Sequence, residues 1–421
     1  MDDARIRTPR LAGRAAVTAG ALAALGARAV ARKLAHRSAS AEGTAADLHR
    51  LGPAYVKVAQ LLATRRDQLP ESWCERLAVL EDRVPAPSAA SIAEVLRRSY
   101  GARTPFARLD LEPLAAGSIA TVHRATLPDG RAVAVKVRRD DVRRTLALDL
   151  ALLGALARTA QRVPGLRRIP VSEMVGQVGA VVGRQADFAA ERANLAKLRQ
   201  NFAPDNGVRV PATLDALCTP DVIVMDLMTG LRPLRRADIP DGDRRDLVRQ
   251  VLTATYQMLF LDGFVHCDLH HGNIYAGPDG TLVILDGGFM IELPDQVRRL
   301  FADFFVNLAL GRGERCAEIV LASARRTDGC DRDGFTRRLA ELVRETSGAR
   351  AAQFSLVAFA GRLFDLQRRH HVFAAPEFVF PLLALLVIEG MVRDLDPDVD
   401  FQALAMPILD RAATGRLHAR G

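Results

Sequence analysis

The sequence predicts an α+β protein in which a helical extension and a small β-containing lobe precede a larger helical lobe. Three observations lead there. Strand-like runs are confined to the middle of the chain, in LEPLAAGSIATVHRATLPDGRAVAVKVRR and in GVRVPATL with DVIVMDLMTG. Apolar residues spaced three and four apart dominate both ends, as helices that bury one face require. Between the β-rich and the last helical part lies VHCDLHHGNIYAGPDGTLVILDGGF, a polar stretch flanked by apolar runs, where ionisable groups are held beside a core. The expected boundaries are 1–100 for the extension, 101–229 for the β-containing lobe and 230–421 for the helical lobe.

Taken in order, residues 1–100 show Ala and Leu periodicity broken at LGP and VPAPSAAS, with Ser88 or Ser91 placed to cap the helix SIAEVLRRSYG. A PDG turn then joins two β-rich runs, the pattern of a hairpin. Helical spacing returns over 141–200, a second β-like patch follows, and a long helix is expected over 242–262. Everything from 294 onward reads helical. The run FVFPLLALLVI, bounded by Glu377 and Glu389 and containing Pro381, is a buried core helix, since a span needs roughly 20 apolar residues.

Composition narrows the class. With 49% hydrophobic and 25% charged residues the chain has the balance of a globular protein rather than a disordered one. Its net charge is +9, but the basic residues are spread along it, and four Tyr and one Trp leave little for stacking on bases. Nucleic acid is therefore not an expected partner; nucleotide phosphates or an anionic membrane surface suit the charge better. Five cysteines, without a CxxC pair, point to reduced thiols in a cytoplasm. Near the N-terminus, only thirteen uncharged residues separate Arg14 from Arg28. This basic helix is too short to span, and it either packs on the protein or lies on a membrane surface.

The order of lobes is that of a bilobal, protein-kinase-like fold, and the chemistry of phosphoryl transfer tests it. That reaction needs a cradle for phosphates, a fixed cation, a carboxylate facing the acceptor, and oxygen ligands for Mg²⁺. Lys136 ends the strand RAVAVKV, where a lysine contacts the phosphates of ATP. HCDLHHGN carries His-x-Asp followed five residues later by Asn, so Asp268 would orient or deprotonate the acceptor and Asn273 would hold a metal. Asp286, at the end of the apolar strand TLVIL, is the second candidate Mg²⁺ ligand. The competing reading is a zinc or di-metal hydrolase using His266, Asp268, His270 and His271, which leaves Lys136 and the hairpin without a role.

LGPAYVKVAQLLATRRDQLP, LAAGSIATVHRA and DFAAERANLAKLRQNF, together with the catalytic-loop pattern, resemble the UbiB/aarF-type atypical kinases over about residues 45–400. The resemblance implies that Ala115, Ala116, Gly117 and Ser118 cover the nucleotide phosphates and that Glu191 pairs with Lys136. It also implies that Lys57 and Gln60, with Asp187, form a lid or regulatory motif. Its implied activity is Mg²⁺-dependent ATP binding with γ-phosphoryl transfer to water or to a small or lipid acceptor, in support of isoprenoid quinone or lipid metabolism. The alternative is a nucleotide-binding pseudokinase serving as a scaffold. A cytoplasmic protein, peripheral to the membrane through its basic helix, with a lipid or quinone-precursor ligand, completes the expectation. The chain departs from the family pattern at Ala59, at Gln185 in place of a glutamate, and at Gly287, where the triplet reads DGG and drops an aromatic residue that Phe289 could replace.

Overall fold

The computed structural model describes residues 87–140, 142–162, 171–202, 207–327, 329–346 and 354–418, together with Gly20, Tyr55 and Val58. Lys57, Ala59 and Gln60, and nearly all of the N-terminal extension, lie outside the described residues. The chain falls into two compact units, Met1–Ala190 with Thr213–Leu227, and Glu191–Ala212 with Met228–Gly421.

In the first unit, α1 (Ala89–Tyr100) starts at Ser88, whose hydroxyl accepts from the Ser91 amide at 3.3 Å. The capping serine is thus the first of the two candidates. The helix ends at Gly101, and Ile92, Val95 and Leu96 form its buried stripe. That stripe packs on a five-stranded sheet built from β1 (Arg108–Leu109), β2 (Ala115–Ala116), β3 (Ala120–Thr126), β4 (Ala132–Arg138) and β6 (Val222–Asp226). The expected hairpin is β3 and β4. Its PDG turn closes with Leu127 N–H on Arg131 O at 2.9 Å, and Gly130 has φ of 87°, which a side chain would strain. Because successive side chains alternate across a strand, Val133, Val135 and Val137 enter the core against α1 while Lys136 faces the other way. Two helices follow, α2 (Val142–Ala160) and α3 (Val171–Arg184).

Helix α4 (Phe188–Asn201) begins in the first unit and runs into the second. The second unit contains a four-stranded sheet in the order β5 (Val208–Arg209), β10 (Leu282–Ile284), β9 (Ile274–Ala276), β7 (Arg232–Pro233). A two-stranded ladder pairs β8 (Phe264–His266) with β11 (Met290–Glu292). Helix α5 (Asp241–Tyr256) continues as a wider π-type turn over Gln257–Asp262 before β8, so the long helix read from the sequence is present with its last turn loosened. The helices α6 (Asp295–Ala309), α7 (Gly313–Ser323), α8 (Arg332–Thr346), α9 (Leu356–Arg369), α10 (Pro376–Leu395) and α11 (Phe401–His418) fill the remainder.

Two expectations need correction. GVRVPATL and DVIVMDLMTG are not one patch: β5 pairs in parallel with β10 in the second unit, whereas β6 pairs with β4 in the first. The C-terminal part is not wholly helical either, because β12 (Ala324–Arg326) pairs with β13 (Phe373–Ala374) across about fifty residues. Short pairings of this kind carry no local periodicity. Among the described residues, no helix is long and apolar enough to cross a membrane.

The run FVFPLLALLVI is a core helix, and its flanking Glu389 shows why a charge can border it. The Glu389 side chain is 1% exposed, and it accepts from the Leu356 and Val357 amides at 3.0 and 2.6 Å and from Arg393 at 2.9 Å. The carboxylate therefore caps the start of α9 from α10. Glu389→Ala is expected to cost roughly 2 kcal/mol, since it leaves the Leu356 and Val357 amides without their acceptor, while the partly exposed Arg393 keeps the carbonyls of Phe354 and Pro397. Denaturant unfolding checks this, and a loss below about 1 kcal/mol refutes the role.

His123 is buried within the first sheet, with Nδ1 2.9 Å from Asp110 O and Nε2 2.8 Å from Thr121 Oγ1. A carbonyl only accepts, so Nδ1 carries the proton and Nε2 accepts from threonine. Burial holds the imidazole below its ordinary pKa, the Asp110 carbonyl opposing in part. The unfolded chain therefore binds a proton more readily, and this group's stability is intact above about pH 6.5 and lost on acidification. Melting curves at pH 7.5 and 5.5 should show a larger acid loss for wild type than for His123→Gln; equal losses would exclude the assignment.

Candidate active site

The polar stretch folds into a turn whose ends are set by two ladders. In the second unit β9 and β10 run antiparallel with Ile274 opposite Ile284, and the Leu285 amide donates to Asn273 O at 2.9 Å. Asn273 is therefore held beside the residue that precedes Asp286. In the other ladder Met290 lies opposite His266, and Cys267 N–H reaches Phe289 O at 2.9 Å. Strand pairing thus brings the Asp286 segment, thirteen residues after Asn273, back beside the chain around Asp268 and Asn273. Within the turn, Asn273 Nδ2 donates to Asp268 O at 2.8 Å.

His266 joins the two segments. It is 1% exposed; its Nδ1 accepts from the Asp268 amide at 3.1 Å, so Nε2 is protonated and donates to Asp286 O at 2.9 Å. Burial holds this imidazole below its ordinary pKa, against the pull of the neighbouring Asp286 and Asp268 charges. A neutral ring with one donor and one acceptor is what the two backbone groups need. His270 Nδ1 accepts from the Gly272 amide at 3.0 Å, which braces the turn. His271 is held below its usual pKa by partial burial and by Arg235.

These bonds bear on whether the histidines could hold zinc. Both ring nitrogens of His266 and one of His270 are committed to the backbone. Among the described residues, no three His, Cys, Asp or Glu side chains are grouped to hold a metal ion. A zinc site built on these histidines does not fit. Mg²⁺ asks for few protein ligands, all oxygen, and keeps water in the rest of its shell. Asn273 fits that demand, because its nitrogen points at Asp268 O and its side-chain oxygen carries no hydrogen bond among the described residues. Asp286 is the carboxylate that could join it, and its Oδ1 accepts from the Gly288 amide at 2.8 Å.

The DGG triplet has a steric explanation. A Cβ at Gly287 would stand 3.2 Å from Leu195 Cγ and 3.3 Å from both Asn194 Cβ and Glu191 O. The glycine thus lets α4 sit directly on the turn. The nearest aromatic residue is three positions after Asp286: Phe289 is buried, edge-on to Phe380 of α10 with centroids 5.7 Å apart.

In the first unit, Lys136 lies on β4 between Val122 and Ile223, with Nζ 5.8 Å from the ring centre of Phe188. Arg138, also on β4, approaches the same buried ring at 5.8 Å. Arg138 donates to Ala186 O at 3.2 Å and Pro220 O at 2.9 Å and pairs with Asp221; burial and the nearby Arg143 and Arg98 push its pKa down to about 10. Ala115 and Ala116 form β2, and a tight turn closes with Gly117 N–H on Ala120 O at 2.9 Å, with Ser118 buried. The side chain of Arg139 donates to Gly117 O at 2.8 Å, and its amide donates to Ile119 O at 2.9 Å. Asp187 Oδ1 accepts from Ala189 and Ala190 at 3.0 and 3.3 Å, capping α4. Glu191, in the second unit, is buried in the first turn of that helix.

Sequence reasoning missed Arg139 and Asn194. Arg139 is one more basic residue in a run of them, and nothing local marks it. Asn194 lies three residues after Glu191, the spacing of one helical face, which is the only signal that could have found it.

Comparison with known proteins follows the same line. Residues 79–320 match the sequence model of the ABC1 atypical kinase-like domain, and residues 339–400 match that of the UbiB helical domain. The probable protein kinases UbiB of Xylella fastidiosa strains M23 and Temecula1 are each 29% identical over 384 residues, covering 89% of this chain and 70% of theirs. Rv3197 of Mycobacterium tuberculosis, solved as its erythromycin complex, superposes with a TM-score of 0.57 at 19% identity, over 92% of this chain and 97% of that one. At such identity the likeness speaks to fold alone. The chain belongs to the ABC1 family of atypical kinase-like proteins, with a UbiB-type helical region and the bilobal, kinase-like α+β fold that its sequence predicts.

Proposed function

We propose that this protein binds ATP with Mg²⁺ and transfers the γ-phosphoryl group to water or to a small or lipid acceptor. The observation that carries the reading is the turn in which one buried imidazole, His266, ties the backbone of Asp268 to that of Asp286 while Asn273 is bonded to Asp268. Phosphoryl transfer asks for this kind of fixed, oxygen-rich constellation more than for covalent chemistry by the protein.

In this reading Asp268 accepts a hydrogen bond from the acceptor hydroxyl and takes its proton as the new O–P bond forms and the bond from the γ-phosphorus to the ADP oxygen breaks. Asn273 and Asp286 would hold Mg²⁺, which when bound neutralises charge on the phosphate oxygens. Lys136 would meet the phosphates, paired with Glu191. The turn at Ala115, Ala116, Gly117 and Ser118 would cover them, its small side chains allowing close approach of backbone N–H groups. Lys57, Gln60 and Asp187 are assigned to a lid, Asp187 acting through the cap of α4. A role in isoprenoid quinone or lipid metabolism rests on the family resemblance, and contact with a membrane surface on the basic N-terminal segment of the sequence.

Asp268→Asn keeps the shape of the turn and removes the proton acceptor. ATP turnover should fall roughly 10²- to 10⁴-fold while binding of an ATP analogue is retained. Equal turnover in wild type and variant, with tight nucleotide binding in both, would instead favour the pseudokinase scaffold, the reading toward which the DGG triplet leans.

Asp286→Asn should abolish the Mg²⁺ dependence of nucleotide binding and leave metal-free binding in place. Calorimetric titration with an ATP analogue, with and without Mg²⁺, measures both. An unchanged Mg²⁺ requirement would remove Asp286 from the metal site.

A further inference from the structure

The Asp286 turn lacks the aromatic residue that would lock it, yet it is enclosed by contacts from three elements. His266 of β8 donates to Asp286 O at 2.9 Å. Phe289 is buried against Phe380 of α10. From the remaining direction comes α4, whose Asn194 donates Nδ2–H to Gly287 O at 2.8 Å. The fit is close enough that a Cβ at Gly287 would press simultaneously on Leu195 Cγ, Asn194 Cβ and Glu191 O, at 3.2, 3.3 and 3.3 Å. Leu195, which forms part of this face, is fully buried.

We propose that Asn194 is a positioning residue for Asp286, holding the carboxylate's turn against α4 by a hydrogen bond where an aromatic side chain is missing. The glycine and the asparagine then work as a pair. Gly287 lets the helix come near enough for a short amide side chain to reach the carbonyl, and Asn194 prevents the glycine-rich turn from using the conformational freedom that Gly287 and Gly288 bring. Glu191 and Asn194 are three residues apart on one helical face, so the same bond fixes Glu191 relative to Asp286. Metal binding should feel this directly: a carboxylate free to leave its position must be reordered each time the ion binds.

The inference rests on Asp286 being the metal-binding carboxylate, and the experiment separates the two claims. Asn194→Ala removes the bond. Asn194→Asp keeps the volume but replaces the donor with an acceptor facing the Gly287 carbonyl. Hydrogen–deuterium exchange of the full chain reads the turn itself, through the peptide covering 286–289. Titration of Mg²⁺ against a fixed concentration of a fluorescent ATP analogue reads the consequence. In both variants the turn should exchange about tenfold faster and half-maximal binding should need about tenfold more Mg²⁺, the loss of one ordinary hydrogen bond. Metal-free affinity for the analogue should stay within about twofold by the same reasoning.

Unchanged exchange over 286–289 in both variants overturns the proposal. So does faster exchange with the wild-type Mg²⁺ requirement, or a metal-free affinity that falls by the same factor, which marks a general structural role. If wild type binds the analogue without any Mg²⁺ dependence, the reading of Asp286 fails and the metal half of the proposal falls with it. The exchange comparison still decides whether Asn194 holds the turn.

Discussion

One buried imidazole constrains the second unit's polar turn more than any other group. His266 has a single donor and a single acceptor, and burying it without partners for both would cost several kcal/mol. Its two partners are the amide of Asp268 and the carbonyl of Asp286, residues eighteen apart in sequence. The tautomer, the ring orientation and the relative placement of two backbone segments are thereby set by the same pair of bonds. The ladders β8 with β11 and β9 with β10 act from outside the turn, and the histidine acts from inside. Carboxylates can stand beside a core because the polar groups at the base of the turn are paired.

The glycines after Asp286 take on a different meaning in this setting. As a sequence feature, DGG is a loss, since an aromatic residue that could hold the aspartate is absent. In the folded chain Gly287 is the contact point of α4, and a side chain there would press on Leu195, Asn194 and the Glu191 carbonyl. Phe289, the next aromatic residue along the chain, docks on Phe380 of α10 beyond the turn. In the first unit, Phe188 lies under both Lys136 and Arg138, and Arg139 secures the backbone of the alanine-rich turn.

Much of the fold was legible because its signals are local. Ser88 before a helical stripe, a PDG turn between two β-rich runs, and an apolar run bounded by two glutamates each act over a few residues, and each formed as read. The failures share a cause. GVRV and DVIV look alike in composition, yet they are paired in different units, because a strand's partner is chosen by long-range pairing and not by its own residues. β12 and β13 are too short to show a period and form only where distant segments meet. For Asp187 the sequence could offer a motif but not a use. In the structure its carboxylate accepts from two amides at the start of α4.

By itself, then, the sequence determined the fold class, the family, and the order of Lys136, Asp268, Asn273 and Asp286 along the chain. Residue type and spacing are enough for that, since backbone periodicity and motif chemistry are properties of neighbours. Tertiary structure alone decided how the polar turn is held: which nitrogen of His266 carries its proton, what packs against Gly287, and that Asn194 reaches its carbonyl. Those facts depend on distances between residues from 20 to 93 positions apart, and only packing of the folded chain sets such distances.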